Sequence, residues 1–530
     1  MAKFNTTRTR AAAGNGPLAA EKTPSLRTYE GAPGFARDVK SELFLLAVAN
    51  FVGEDTFYEK AGSRDGRFAG LVRQVAYADV DWLTAFLRWL RTDANLRSAP
   101  IVAAAEAVKA RLDAGVHGGN RQLVTAVMAR ADEPGEFLAY WRSRFGRTVP
   151  LPVKNGLRDA VVRLYSERSL LKYDTGARGY RFADLIDLYR PAPKDERQSA
   201  LFRHALDRRH HRADDVPAVL SMLRTRGELA ALPVGERRAV LADPARLARA
   251  GMTWEALSGW LDGPMDKAAW EAMIPSMGIM ALARNLRNFD EAGVSDQVAA
   301  TVAARFADPA EVAKSRMFPF RWLAAYEQAP SPRWGHALDK ALQASLSHLP
   351  AMPGRTLVLV DTSASMSSGG FSKHSKMTPV KAAAVFGVAL AAKGERVDLH
   401  GFADGVFRHR VGKGASVIKE VAAFCKRIGE VGHGTQVAQS IRATFAGHDR
   451  VFVISDMQTM TGHHAGGVMQ AVPRSVPLYG VNLGGYRPAA FDAGSPNRIE
   501  FGGLTDAMFR IVPLVEAGGD ASWPWLAPQG

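Results

Sequence analysis

Apolar positions between Asp38 and about Leu349 recur at helical spacing. Trp82, Phe86 and Leu90 fall at i, i+4 and i+8, flanked by Leu83 and Leu87, which makes one apolar stripe on a helix. The spacing returns in Ala99 to Ala114 through Val102, Val108 and Leu112, and in Leu157, Val161 and Leu164. Leu201, Leu206 and Val216 bracket a further helix, and Trp270, Ile274 and Met277 lie on another. Gly118-Gly119 and the prolines Pro152, Pro191, Pro217 and Pro264 read as helix stops. No strand-like alternation interrupts this stretch. Many helices with short connectors and no strict repeat of letters predict a bundle or an α-solenoid.

The pattern changes at Pro353. Thr356 to Val360 is a continuous apolar run, as in a strand buried on both faces. A helix is expected from Pro379 to Lys393, with proline in its first turn. A strand over Arg396 to Phe402 follows, then helices over Val417 to Ile428 and Val437 to Phe445. Strands over Arg450 to Ser455 and Val476 to Leu483 come next, and Leu504 to Val515 reads as a closing helix. Strands alternating with helices predict a doubly wound, Rossmann-like parallel sheet of about 180 residues. The expected organisation is a flexible basic tail over residues 1–28, an all-α part over 29–352 and an α/β domain over 353–530.

Composition narrows the class. The 530 residues are 47% hydrophobic, enough for packed cores. A single cysteine, Cys425, rules out a disulfide framework within the chain and speaks against cysteine-based zinc binding. Cys425 is expected in a helix interior as core. No run approaches a membrane span and the N-terminus lacks an apolar secretory run, so the expectation is a cytoplasmic protein. The net charge is +15, about +10 of it on residues 1–350 and about +5 beyond. Arginine outnumbers lysine, which suits bidentate phosphate contacts; a GC-rich genome would produce the same bias.

Candidate chemistry gathers at the carboxyl ends of the predicted strands, where open α/β sheets bind ligands. The first strand ends in Asp361-Thr-Ser363-Ala-Ser365, another in Ser455-Asp456, and Gly432-His-Gly434-Thr435 precedes a helix. Asp361, Ser363, Ser365, Thr435 and Asp456 thus form an all-oxygen set with two carboxylates, suited to Mg²⁺ or Mn²⁺ with water in the remaining positions. An open position of that kind could accept a partner's carboxylate. The order resembles the metal-ion-dependent adhesion site of von Willebrand factor A (vWA) domains.

Three segments of the helical part are similar to the TROVE module of the Ro autoantigen family. They are Phe51-Val-Gly-Glu54-Asp-Thr-Phe57-Tyr58, then Trp270 to Ile274 followed by Met280 to Asn288 with its Arg284-Asn285-Leu286-Arg287-Asn288, and Lys314-Ser315-Arg316-Met-Phe-Pro319-Phe320. The chain resembles a bacterial-type Ro protein. That resemblance implies HEAT-like helical repeats closed into a monomeric ring by a vWA domain. It also implies binding of Y-like noncoding RNA on the outer surface and of single-stranded 3′ ends of misfolded RNA in the hole. A 3′ exoribonuclease is the implied partner, for RNA quality control, maturation or decay.

Candidate RNA contacts follow. Lys172-Tyr173 matches the family's contacting segment; the family's next arginine falls at Ala177 or, shifted by one, at Arg178, and Arg190 stands where the family has histidine. Arg284 and Arg287 share a helix face, and with Asn285, Lys314 and Arg316 they either track phosphate or make intramolecular contacts. Arg203, Arg208, Arg209 and Arg212 with His204, His210 and His211 form the densest positive run, either a phosphate-facing patch or a solvated helix face. His463-His464 lacks matching ligand spacing for zinc. No P-loop, H-E-x-x-H or G-x-S-x-G occurs, so no enzymatic activity is expected. The competing reading is a metal-dependent protein-docking scaffold.

Overall fold

The structure is a computed structural model that describes residues 14–49, 52–176, 179–212, 215–329, 331–371, 377–460 and 467–526. The chain divides into two compact units. One comprises Met1–Val75, Met317–Ala324 and Leu338–Gly530; the other comprises Ala76–Arg316 and Ala325–Ala337.

The second unit is helical. Its helices begin where short polar side chains satisfy otherwise unpaired backbone N–H groups. Asp79 accepts from Trp82 N at 3.0 Å, Asp195 from Gln198 N at 2.7 Å, and Ser166 forms a capping box with Ser169. The predicted stripes face inward: Trp82, Phe86, Leu90, Leu157, Val161, Leu201 and Trp270 are buried. Pro152, expected as a stop, instead sits in the first turn of Leu151–Leu164, where its missing N–H has no partner to lose. That helix packs on Asn120–Ala126 at Gly156, where a Cβ would lie 2.6 Å from Val124 Cβ. Buried ion pairs join helices as well, Arg91 to Glu133 at 2.6 Å among them.

The first unit is built on a six-stranded sheet. The strands of the unit are β1 Leu26–Arg27, β2 Pro33–Ala36, β3 Arg355–Asp361, β4 Arg396–Phe402, β5 Val406–His409, β6 Arg450–Ser455, β7 Leu478–Asn482, β8 Pro488–Ala489 and β9 Arg498–Gly502. The main sheet runs β5-β4-β3-β6-β7-β9, parallel throughout except for the β4–β5 hairpin. From β3 the chain moves outward to β4 and then returns past β3 to β6, so strand order reverses between β3 and β6. The buried runs of β3, β6 and β7 are apolar on both faces, as helices on both sides require. One face packs on Val437–Thr444 and Val468–Ala471, the other on Pro379–Lys393. The closing helix is shorter than expected, a 3₁₀ turn over Ala507–Arg510 continued by Ile511–Glu516.

The N-terminal segment departs from expectation. Residues 14–28, expected within a flexible tail, pack on the sheet unit: Leu18 is buried, Ala20 N donates to Ala493 O, and β2 pairs with β1 and β8. Helix Val39–Ala49 is buried over most of its surface and lies against β9. Residues 29–75 and 338–352 therefore belong to the α/β unit, and the expected boundary at 352/353 does not hold. The reason is a buried ion pair and strand pairing that the local pattern does not reveal: Arg37 is clamped by Glu500 at 2.6 Å. Residues 1–13 of the expected tail lie outside the described residues. No helix among the described residues is long and apolar enough to cross a membrane.

Candidate functional site

The reversal between β3 and β6 places two acidic strand ends side by side, at the position where doubly wound sheets bind ligands. Asp361 closes β3 and Asp456 follows β6; both are buried, 0% and 3% exposed. Ser363, Ser365 and Thr435 are buried with them. Asp361 Oδ1 accepts from Ser363 N at 2.9 Å, and Ser363 Oγ lies 3.3 Å from Ser365 Oγ. Asp361 Oδ2 accepts from Ser455 Oγ, which in turn accepts from Met457 N at 3.0 Å.

The Thr435 loop is tied to both strand ends. Ala364 N donates to His433 O at 2.9 Å, and Met460 N donates to Thr435 O at 2.8 Å. Asp404 fixes that loop by accepting from His433 N and Gly434 N. The five predicted oxygen-bearing residues therefore lie on three loops joined by hydrogen bonds.

The electrostatics of the pair are strained. Burial pushes the Asp361 carboxyl up, opposed by hydrogen bonds from Ser363 and Ser455. Burial also pushes Asp456 up, and repulsion from Asp361 adds to it. Asp456 Oδ1 accepts from Gln458 N at 3.1 Å, whereas its buried Oδ2 has no partner of normal hydrogen-bond geometry. A buried carboxylate oxygen left unsatisfied is costly, and a hard cation is the partner that an all-oxygen set fits. Among the described residues no cluster of three or more His, Cys, Asp or Glu side chains could hold a metal, so a cation here would rely on the hydroxyls beside the two aspartates. A cavity of about 280 Å³, lined in part by Glu54, Ser365, Gly484 and Tyr486, reaches Asp456.

The candidate RNA contacts in the helical unit separate into two groups. Lys172 is exposed at the end of Glu167–Tyr173, its Nζ 5.3 Å from the Tyr173 ring centroid. Arg190 caps Phe182–Tyr189 in the left-handed region (φ 45°) and is exposed. With Arg203 and Arg212 it lines a cavity of about 460 Å³ that Asp187 and Asp207 also border. Arg284, Lys314 and Arg316 are exposed as well, and none of these cations has an ion-pair partner among the described residues.

Two candidates make contacts within the chain. Asn285 is buried; its Nδ2 donates to Ala281 O and its Oδ1 accepts from Asn288 Nδ2, both at 2.8 Å, so it joins helix Ile279–Arg284 to Leu286–Glu291. Arg287 pairs with Glu291 at 2.7 Å, the intramolecular alternative for that residue. Within the positive run, Arg209 pairs with Asp184 and His210 with Asp187, leaving Arg203 and Arg212 toward the cavity. Arg178 and His463-His464 lie outside the described residues. Cys425 ends its helix, Val417–Cys425, and is partly exposed rather than core.

Sequence reasoning did not single out Tyr486, which lines the cavity at Asp456, and it noted Tyr58 only as a match to a family segment. The Tyr58 hydroxyl donates to Glu30 Oε1.

Comparison with known proteins gives two findings. Residues 246–354 match the TROVE domain family. The fold is similar to the crystal structure of the Deinococcus radiodurans RO (RSR) protein, with a TM-score of 0.60 and 17% sequence identity over 90% of this chain and 100% of that one. No curated protein matches the chain in sequence. The chain thus carries a TROVE-domain segment within a fold shared with a bacterial Ro protein.

Proposed function

We propose that the protein is a non-enzymatic RNA-binding factor of the Ro type. It would bind Y-like structured RNA through the surface bearing Lys172 and Arg190, and single-stranded 3′ ends of misfolded RNA through Arg284, Lys314 and Arg316. The observation that carries the reading is this set of exposed cations without carboxylate partners, on a helical unit that holds most of the TROVE match. Phosphate contacts need such unneutralised charge, because a lysine or arginine already paired has less to gain from a phosphate.

The test is a mobility-shift titration of an RNA with a structured body and a free 3′ end, repeated across salt concentrations. Affinity is expected to fall steeply with salt. In Lys172→Ala/Arg190→Ala the slope of log K against log salt is expected to drop by about 2 for the structured body, with a short single strand unaffected. Equal losses for both RNAs would refute separate surfaces, and salt-insensitive binding would refute the reading as a whole.

The strand-end site supports a second activity. Asp361, Ser363, Ser365, Thr435 and Asp456 would hold Mg²⁺ or Mn²⁺, as in a vWA-type domain, and the buried Asp456 Oδ2, without a partner of normal hydrogen-bond geometry among the described residues, favours this. A bound cation would neutralise the aspartates and offer a coordination position for docking.

A further inference from the structure

The sheet unit also holds a larger cavity, of about 1010 Å³, which shares no lining residue with the one at Asp456. Its walls come from Phe35 of β2, Ala438 of helix Val437–Thr444, Met469 of helix Val468–Ala471, and Val472 just beyond that helix. Phe35 is the one aromatic ring among the described residues that line it. Phe35 and Val472 are 8% and 2% exposed, and Val472 belongs to the core cluster against which Ala438 and Met469 pack. The wall of the cavity is thus a face of the core. The volume is at the upper end of small-molecule sites, which run to about 1,000 Å³.

The charges around it do not balance. Lys22, Arg474 and Arg498 line the cavity, against the single carboxylate of Asp492. Lys22 and Arg474 are exposed, whereas Arg498, at the start of β9, is 2% exposed. None of the three cations has an ion-pair partner among the described residues. Asp492 is engaged by Ser495, whose hydroxyl donates to its Oδ2. Arg498 donates to the carbonyls of Val476, Asn497 and Val472 at 3.0, 2.9 and 2.8 Å, which orient the guanidinium without neutralising it. Its buried Nε has no acceptor among the described residues. Burial and repulsion from Arg474 both lower the Arg498 pKa, so the two positive charges act on one another. A buried cation without a counter-charge is costly, and an anion in the cavity relieves that cost.

We propose that this cavity binds an amphiphilic anion, its carboxylate head set among Lys22, Arg474 and Arg498 and its aliphatic body laid along Phe35, Met469 and Val472. The head supplies the missing counter-charge, and the body buries apolar surface against a wall that is already core. An alkyl carboxylate suits this wall better than a nucleotide does, because a base is held by stacking on flat rings and the wall offers one. The site stands apart from the RNA surfaces and from the strand-end cation, and depends on neither.

The experiment is isothermal titration of sodium decanoate into the full chain, as wild type, Arg474→Glu and Lys22→Glu/Arg474→Glu. Decylammonium, with the same body and the opposite charge, and adenosine monophosphate are titrated beside it. Both substituted positions are exposed, and thermal melts matching wild type verify that the variants stay folded. Wild type is expected to bind one decanoate. Arg474→Glu is expected to bind about tenfold more weakly and the double variant not measurably, since each change replaces attraction by repulsion. Decylammonium is expected not to bind. Equal decanoate affinity in wild type and the double variant, or decylammonium binding as tightly as decanoate, would overturn the role of the cations. Binding of adenosine monophosphate in place of decanoate would overturn the aliphatic body, and no decanoate binding by the wild type would overturn the proposal entirely.

Discussion

Replacing Arg37 by methionine tests whether the N-terminal segment is part of the α/β unit's cooperative fold. Arg37 donates from Nε and Nη2 to the two oxygens of Glu500, at 2.7 and 2.6 Å, and from Nη1 to the carbonyls of Tyr486 and Arg487. The two side chains are 0% and 1% exposed. Methionine matches the length of the aliphatic stem but leaves Glu500 buried with, among the described residues, only Asn482 Nδ2 donating to it, at 3.0 Å. Removing one partner of a buried pair costs about 3–5 kcal/mol, chiefly because the other charge is stranded. For a unit of this size that is a fall of about 6–20 °C in Tm. The double variant Arg37→Met/Glu500→Leu removes both charges and is expected to recover most of the loss. Urea unfolding followed by tryptophan fluorescence gives the midpoints of all three proteins. A loss below about 1 kcal/mol in Arg37→Met, or a double variant as unstable as the single one, would refute the reasoning.

Two further predictions concern single contacts. His348 lies against Asp506, whose hydrogen bond raises the imidazole pKa. The stabilisation from this contact is full below the unfolded value of about 6.5 and is lost as pH rises through the raised folded value. His348→Gln is therefore expected to cost about 0.5–1 kcal/mol at pH 6 and little at pH 8.5, in keeping with a half-exposed pair; a cost independent of pH in urea titrations would contradict it. Asn285→Ala is expected to destabilise the helical unit by about 1–3 kcal/mol, since it breaks buried hydrogen bonds on both sides of a helix junction, while leaving RNA affinity unchanged. Lost RNA affinity at unaltered stability would return Asn285 to the binding surface.

The main sheet was legible because buried parallel strands are continuous apolar runs: Thr356 to Val360 and Arg450 to Ser455 fall within or on the observed strands. The two aspartates were legible for a related reason, since each follows such a run and the topology then brings strand ends together. β5, β8 and β9 were missed. Val406–His409 and Pro488–Ala489 are too short to show a pattern, and Arg498–Gly502 carries buried Arg498 and Glu500, which look like surface residues until their partners are known. The N-terminal segment is illegible for the same reason, because Arg37 carries no sign of the sheet while its partner Glu500 is 463 positions away. Spacing put Arg284 and Arg287 on one helix, whereas the chain breaks at Asn285 and leaves Arg284 at the end of Ile279–Arg284 and Arg287 in the first turn of Leu286–Glu291. It could not show that Glu291 lies one turn beyond Arg287 in pairing geometry, or that Asn285 turns inward at the junction.

The pairing of Arg37 with Glu500 spans 463 positions. At roughly 5–20 residues per second a ribosome needs about 20–90 s to bridge that interval. During synthesis β2 and the buried helix Val39–Ala49 emerge long before the strands they cover, with an apolar surface exposed and nothing to pack on. The helical unit, encoded almost entirely between them, can fold first. The early and late segments of the sheet unit then meet, a closure of high sequence separation and correspondingly slow. Truncation near residue 500 would leave the early segment permanently unmatched.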